Sequence, residues 1–195
     1  KKFINKLHKL GLHIITIIDP GVKKDEAYQI YQEGLQKGYF VKALNGQVYV
    51  NKVWPGDAVY PDFGRNAVRK WWAENCKFLV DLGVDGIWDD MNEPASFNGE
   101  IPENIIFSDE DKKSTHGKMH NVYGHNMAKA TYDGLKKASG KRPFVITRAA
   151  YAGTQKYSTV SLSFYSCSNI PPCVSQKYSI VSLSFYSHSN IPPCV

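Results

Sequence analysis

The sequence predicts an α/β fold with a parallel sheet, of the kind found in (β/α) barrels. Short apolar, β-branched segments alternate with helical patterns, and this alternation is typical of parallel strands joined by helices. The segments end in charged side chains, which are Asp19, then Asp89 and Asp90, then Arg148. Functional residues often lie at the carboxyl ends of parallel strands. Because no glycine-rich phosphate loop follows any segment, a barrel is favoured over a nucleotide-binding sheet.

The first predicted elements are a helix and a buried strand. Residues 1–10 have helical periodicity, and Gly11 follows as a stop signal. Residues 12–21, LHIITIIDPG, form an apolar run that ends in Asp-Pro-Gly, which predicts a buried strand and a turn. One apolar face of the helix consists of Phe3, Leu7 and Leu10.

A hairpin and a longer helix are predicted next. Residues 39–50, YFVKALNGQVYV, have Asn45-Gly46 between two alternating segments, which is a strong hairpin signal. Residues 65–83 have the periodicity of a helix. Its side chains available for burial are Val68, Trp71, Trp72, Phe78 and Leu79.

The remaining elements continue the alternation of helices and strands. Residues 84–90, VDGIWDD, predict a second short buried strand, and residues 120–140 predict a helix that ends near Gly140. Residues 142–149, RPFVITRA, predict a third strand. Strands in this order, each separated by a helix, are expected to lie parallel in one sheet.

The end of the chain is a tandem repeat. Residues 154–174 are followed by a near-identical copy at 175–195, and neither copy contains Asp or Glu. Two copies are too few for a solenoid. The VSLSFYS stretch of each copy alternates apolar residues with Ser, a pattern compatible with a strand and with aggregation. The copies differ at Thr154/Ser175, Thr159/Ile180 and Cys167/His188.

Composition excludes several classes of protein. The 195 residues are 43% hydrophobic and 22% charged, as in ordinary globular proteins. The net charge of +6 is spread among interleaved acidic residues, so no nucleic-acid partner is predicted. No window approaches a membrane span, and no cofactor is indicated. The lack of a CxxC pair argues against structural zinc. Because the chain opens inside a helical pattern without a signal peptide, further residues are expected before Lys1.

A histidine cluster offers an alternative site. His116, His120 and His125 lie in HGKMHNVYGH, and the first two are spaced to share a helical face, as metal-binding pairs are. No HExxH motif and no suitably spaced acidic ligand accompany them. We therefore predict histidines at the surface or at a helix start, and no metal site.

The stretch GIWDDMNEPASF, residues 86–97, places three carboxylates directly after an apolar run. A carboxylate at a strand end often caps the next helix or binds a surface arginine, and we predict such a role for Asp89. Asp90 and Glu93 follow a tryptophan at a predicted strand terminus, where side chains converge on a pocket. Neighbouring carboxylates raise each other's proton affinity, which tunes acid and base roles.

The sequence GIWDDMNEP resembles the nucleophile motif of glycoside hydrolase family 31, the retaining α-glucosidase family, whose pattern is Trp-x-Asp-Met-Asn-Glu. IIDPG (17–21) is similar to the end of the family's third barrel strand, and VWPGDAVYPDF (53–63) resembles its Trp-Pro-Gly to Pro-Asp-Phe loop. RPFVITRAAYAGTQKYSTV (142–160) resembles strand five and the following loop. The resemblance implies that residues 1–160 form a partial (β/α)8 TIM barrel, about strands three to five with their helices. Residues 161–195 would be a tail foreign to the family.

The resemblance also implies a role for each matched residue. Asp90 would be the catalytic nucleophile, which forms a covalent glycosyl–enzyme intermediate, and Glu93 would orient or support that site. Charged groups suit sugar hydroxyls, and indoles stack on sugar faces. The implied substrate is an oligosaccharide or α-glucoside with terminal α-linked glucose; α-xylosides stay open. The implied substrate-binding residues are Asp19, Trp54, Trp88, Met91 and Arg148.

The sequence lacks one expected catalytic group. A retaining hydrolase needs a second carboxylic acid about 5–5.5 Å from the nucleophile. In the family this acid follows the stretch that QKYSTV resembles, but here no Asp or Glu follows Asp133. We therefore expect an inactive fragment of a family 31 α-glucosidase. The alternative is a catalytically dead carbohydrate-binding or interaction protein that uses the repeat as a docking element.

Overall fold

The computed structural model describes residues 1–160 and 180–183. Predictions for the rest of the tandem repeat, including most of the proposed tail, lie outside these residues. Within the described ranges the predicted helices and parallel strands alternate, whereas a helix at residues 29–36 and several short paired strands between them were not predicted. In chain order the elements are α1 (Lys2–Lys9), β1 (His13–Ile18), β2 (Val22–Lys23), α2 (Gln29–Gln36), β3 (Val50–Val53), β4 (Gly56–Val59), α3 (Asn66–Leu82), β5 (Gly86–Asp89), β6 (Ile106–Asp109), β7 (Lys112–Thr115), α4 (His116–Ser139), β8 (Phe144–Thr147), β9 (Thr159–Val160) and β10 (Ile180–Leu183).

The main sheet is parallel and has the strand order β10-β1-β5-β8-β9 among the described residues. Its centre consists of the predicted strands, with β5 between β1 and β8. Ile17 of β1 pairs with Trp88 of β5, which pairs with Ile146 of β8. The α/β class and the parallel arrangement predicted from the alternation of elements are therefore confirmed.

The two faces of this sheet differ in burial. Ile14, Ile87 and Val145 are almost fully buried on the face that α4 contacts, and α3 packs against α4 on the same side. Successive side chains of a strand point to opposite faces, so the neighbours of these residues lie on the other face. Those neighbours include Trp88, which is half-buried, and Phe144, which is 39% exposed. The helix-side face therefore contains the better-packed half of the core.

Two predicted helix faces are corrected by the structure. In α1 the buried residue is Ile4, whereas Phe3 and Leu10 are exposed. His8 Nε2 contacts Asp85 Oδ2 at 2.7 Å. Because Ile4 and His8 are four residues apart and lie on the same side of the helix, this contact turns that side toward the core. In α3, Phe78 is 47% exposed, contrary to prediction, and Cys76, for which no burial was predicted, is buried.

Hairpins account for most of what the sequence did not predict. The Asn45-Gly46 turn is present, but it closes a single bridge between Lys42 and Val48. Three further antiparallel pairs among the described residues, β2–β4, β3–β4 and β6–β7, were not predicted. The β3–β4 turn contains Trp54 and no Asn-Gly or Asp-Gly pair, so the usual hairpin signal is missing.

Candidate active site

A cluster of charged side chains forms where β1, β5 and β8 end. The backbone N–H of Asp90 donates to the Ile18 carbonyl at 3.0 Å, and the N–H of Arg148 donates to the Asp89 carbonyl at 3.2 Å. These bonds extend the sheet ladder one residue beyond the strands. They align Asp90 and Arg148 at the same edge of the sheet, as the sequence predicts for strand ends.

Arg148 links the acidic members of the cluster. Its Nε and Nη2 atoms donate to the two carboxylate oxygens of Glu93, each at 2.7 Å. The Nε atom also lies 3.4 Å from Asp90 Oδ1, an ion-pair contact. Bidentate bonds of this kind are strong and fix the orientation of the guanidinium group. Glu93 therefore holds Arg148 beside Asp90.

Asp19 completes the cluster from the end of β1. Burial, together with the charges of Asp90 and Glu93, raises the pKa of its carboxyl group to about 6 against the opposing effect of Arg148. Within the described part of the chain, Oδ1 of Asp19 and Oδ1 of Asp90 are buried and have no hydrogen-bond partner. Oxygens in this state are ready to accept hydrogen bonds from a polar ligand.

Trp88 and Met91 lie on either side of Asp89 and Asp90 in the sequence. Trp88 lies on the same face of the sheet as Asp90, and its indole N–H is buried without a partner among the described residues. Met91 is buried and has a φ angle of 54°, a left-handed conformation that is uncommon for a non-glycine residue. Such conformations often occur at functional sites.

Trp54 lies at the turn between β3 and β4. It is 57% exposed and packs edge-to-face on Phe97, with 4.8 Å between ring centroids. The N–H of Phe97 donates to the Lys52 carbonyl at 2.8 Å, which joins the loop after β5 to this hairpin. Phe97 was not predicted as a site residue, although it lies within the GIWDDMNEPASF stretch, residues 86–97.

Asn92 is a second residue that sequence reasoning did not assign. Its side chain is fully buried, and its Nδ2 atom donates to Thr147 Oγ1 at 2.9 Å. Its Oδ1 atom accepts from the Ala149 N–H at 3.2 Å. Asn92 thus ties the loop after β5 to the end of β8. Its position in the Met-Asn-Glu motif was the available signal.

The predicted role of Asp89 as a helix cap or partner of a surface arginine is wrong. Its carboxyl group is fully buried, and Oδ1 accepts a hydrogen bond from Thr131 Oγ1 of α4 at 2.9 Å. Strand alternation is the reason, because it points Asp89 to the helix-covered face, opposite to Trp88 and Asp90. Burial raises the pKa of this carboxyl group to about 8.

The histidines occupy the start of α4. His116 is the first residue of the helix and is buried, so the helix-start prediction is confirmed and a surface position is wrong for it. Its Nε2 atom lies 3.1 Å from His120 Nδ1, and its Nδ1 atom lies 3.0 Å from the Ile101 carbonyl. Among the described residues, no group of three or more potential ligands is arranged to hold a metal ion. As for a membrane span, none of the helices in the described residues combines the length and the hydrophobicity that one needs.

Several α-glucosidases are similar to this chain in sequence. The chain is 47% identical over 163 residues to alpha-glucosidase 2 of Bacillus thermoamyloliquefaciens, covering 82% of this chain and 21% of the relative. It is 35% identical over 182 residues to an alpha-glucosidase of Saccharolobus solfataricus, covering 82% of this chain and 26% of the relative. The chain therefore spans only about a fifth to a quarter of the length of these relatives.

Solved structures share the fold. The ER glucosidase II heterodimeric complex superimposes with a TM-score of 0.74 at 32% identity, over 82% of this chain and 18% of that chain. A Flavobacterium johnsoniae GH31 dextranase complexed with glucose superimposes with a TM-score of 0.73 at 30% identity, over 82% of this chain and 20% of that chain. The family model "Glycosyl hydrolases family 31 TIM-barrel domain" matches residues 1–163, which include every member of the charged cluster. The chain belongs to glycoside hydrolase family 31.

Proposed function

We propose that this chain is part of the catalytic barrel of a retaining α-glucosidase. Residues 1–160 would supply about strands three to five of a (β/α)8 barrel with their helices, and residues 164–195, beyond the family match, would form a tail foreign to the family. The observation that carries the proposal is the cluster of Asp19, Asp90 and Arg148 at the ends of three adjacent parallel strands. Relatives named as α-glucosidases support the activity.

Asp90 is the proposed nucleophile. One of its carboxylate oxygens attacks the anomeric carbon of the sugar, the bond to the leaving oxygen breaks, and a covalent ester forms. Water then hydrolyses this ester and releases the sugar with retained configuration. Arg148, held by Glu93, keeps a positive charge 3.4 Å from Asp90 Oδ1. This charge fixes the orientation of the carboxylate before attack.

The other residues of the proposed site bind the sugar. The buried Oδ1 of Asp19 would accept a hydrogen bond from a hydroxyl group, and the buried indole N–H of Trp88 would donate one. Met91 would line the apolar side of the pocket. Trp54, with its exposed indole, would stack on a sugar face in concert with Phe97.

The proposal includes inactivity of this 195-residue chain toward ordinary substrates. A poor leaving group needs a general acid, and the sequence contains no Asp or Glu after Asp133 that would supply it from a later strand. The same observation supports the second candidate function, which is carbohydrate binding without catalysis. The two candidates differ in whether Asp90 reacts with a substrate that needs little acid assistance.

The test is hydrolysis of 4-nitrophenyl α-glucoside by the 195-residue chain. Its activated leaving group makes the assay depend on the nucleophile. We expect slow release of nitrophenol that falls by about 10³-fold or more in Asp90→Ala. Asp133→Ala, which removes an exposed carboxylate on α4, is the matched control and should retain the rate. Glucose binding without nitrophenol release would favour the second candidate, and neither binding nor release would overturn both.

A further inference from the structure

The carboxyl group of Asp89 forms a buried anchor directly before the proposed nucleophile. Its Oδ1 atom accepts from the Thr131 hydroxyl at 2.9 Å, and the oxygen of that hydroxyl accepts from Trp72 Nε1 at 3.0 Å. Its Oδ2 atom is buried and has no hydrogen-bond partner within residues 1–160 and 180–183. A hydrogen-bonded chain therefore connects β5 to both α3 and α4.

The backbone of Asp89 connects this anchor to the charged cluster. Its carbonyl oxygen accepts from the N–H of Arg148 at 3.2 Å, and the next N–H, that of Asp90, donates to the Ile18 carbonyl at 3.0 Å. A shift of Asp89 toward or away from α4 would move both bonds. The side chain on the helix face therefore controls the position of the peptide that carries the proposed nucleophile on the other face.

The surroundings of Asp89 offer no positive charge among the described residues. The groups that face it are Trp72 and Cys76 of α3 and Thr131 of α4, and of these only Cys76 titrates. Burial raises the pKa of the Cys76 thiol, so this thiol stays neutral. A carboxylate buried without a cation is costly, and the carboxyl group avoids this cost by holding its proton.

We propose that Asp89 is a neutral, buried carboxylic acid that positions the proposed nucleophile Asp90 by anchoring the end of β5 to Thr131. The positioning role rests on the proposed function of Asp90, whereas the neutral state of the anchor does not. Asparagine keeps an acceptor oxygen and is neutral at every pH. Leucine has the same branched shape, with methyl groups in place of the oxygens, and leaves the Thr131 hydroxyl without its acceptor.

The neutral state is tested by thermal unfolding of the full chain between pH 5 and pH 9. The carboxyl pKa in the folded chain, about 8, lies above the unfolded value, so the folded state binds the extra proton. The stability of the wild type must therefore fall as pH rises toward about 8. We expect its midpoint to fall by about 5 °C relative to Asp89→Asn between pH 6 and pH 8.

The matched control for this experiment is Asp133→Asn, an exposed carboxylate two residues from Thr131 on the same helix. Its pH curve should follow that of the wild type. Parallel curves for wild type and Asp89→Asn would overturn the neutral carboxyl group. Because the comparison is between variants, the other titratable groups of the chain contribute equally to both curves and cancel.

The positioning role is tested with 5-fluoro-α-glucosyl fluoride, which reacts without a general acid. Asp90 attacks the anomeric carbon, the carbon–fluorine bond breaks, and fluoride leaves with the electron pair, so the ester on Asp90 is detected by peptide mass spectrometry. We expect Asp89→Asn to label at the wild-type rate at pH 6.5 and to keep that rate at pH 9. Labelling of the wild type should slow at pH 9, and Asp89→Leu should label at least tenfold more slowly at both pH values.

The outcomes separate the two claims. Wild-type labelling rates in a folded Asp89→Leu chain, checked by circular dichroism, would overturn positioning. A wild type that is not labelled on Asp90 would overturn the proposed function, and the positioning role with it. In that case the unfolding experiment would still decide whether the buried carboxyl group is neutral.

Discussion

Asp19 shows how one carboxyl group can serve binding at the expense of stability. It is half-buried beside Asp90 and Glu93, and burial together with these charges raises its pKa to about 6, against the opposing effect of Arg148. At pH 7 most molecules therefore hold an ionised Asp19 in an unfavourable place. Groups of this kind are common in binding sites, where a polar ligand compensates for the cost.

Asp19→Asn should therefore weaken sugar binding and stabilise the chain at the same time. The pKa of Asp19 is higher in the folded chain than in the unfolded chain, so the free energy of unfolding falls as pH rises toward and through about 6. Asparagine does not ionise, so the variant avoids this loss. The affinity of the wild type for glucose should rise between pH 5 and pH 7 as the carboxylate forms, and this rise should disappear in the variant. Calorimetric titration and thermal unfolding at both pH values measure the two effects.

The control for this prediction is Asp57→Asn, an exposed carboxylate on β4. It should change neither glucose affinity nor its pH dependence. A variant at Asp19 that bound glucose as tightly as the wild type at pH 7 would contradict the assignment of Asp19 to the sugar site.

For single residues, the motif predicted which side chains cluster, but not which contacts they make. Asp19, Asp90 and Arg148 were predicted from strand ends, because parallel strands bring their carboxyl ends together. The contact between Asn92 and Thr147 joins residues 55 positions apart, and no local pattern encodes it. Asp89 was assigned wrongly because its charge was considered without the strand alternation that turns it toward the helices.

At the scale of elements, α4 is the support on which the site rests. Gly124 lies where a Cβ atom would come within 2.7 Å of the Asn92 carbonyl oxygen and 2.8 Å of Ala149 Cβ. Gly134, ten residues later in the same helix, meets the backbone of Ala73 in α3, with its carbonyl oxygen at 2.5 Å. One glycine lets α4 approach the loops of the site, and the other lets α4 approach α3.

Gly124→Ala and Gly134→Ala should both destabilise the chain, although alanine is normally the better helix former. Overpacking against backbone atoms costs about 1–3 kcal/mol, which predicts a fall of about 2–10 °C in the unfolding midpoint. Only Gly124→Ala displaces Asn92 and Ala149, so only this variant should also lose labelling of Asp90, by about tenfold or more. Equal labelling of the two folded variants would contradict the role of Gly124 in the site.

The helices and parallel strands were predictable because their periods of 3.6 and 2 residues are local properties of the sequence. Examples are the spacing of valine, tryptophan and alanine residues in α3 and the run of β-branched residues in β1. The β6–β7 hairpin was not predictable, because it contains Lys112 and Lys113 and has no apolar alternation. Its position is determined by tertiary contacts, such as Ser108 with Asp62 at 2.7 Å.

At the scale of the whole molecule, the main sheet is covered by α3 and α4 on one face and is partly open on the other. Register places Gly86 and Phe144 opposite each other on the open face, where the side chains of Ile15 and Phe144 both lie close to Gly86. A closed barrel would bury this face against the strands on the far side. Relatives four to five times as long as the matched segment are consistent with such strands in the whole protein.

We therefore expect the 195-residue chain to self-associate through the open face and the sheet edges. Phe144→Lys places a charge on this face at a residue that is 39% exposed, and it should shift the chain toward monomer in sedimentation velocity across a dilution series. Phe78→Lys is the matched control, because Phe78 is 47% exposed but lies on α3, away from the open face. Association that both substitutions reduce equally would contradict a role for the open face. The wild type itself provides a second check. If it is strictly monomeric and unfolds in one sharp cooperative transition, the partial barrel buries its own core. The proposal that the chain needs further strands would then be wrong.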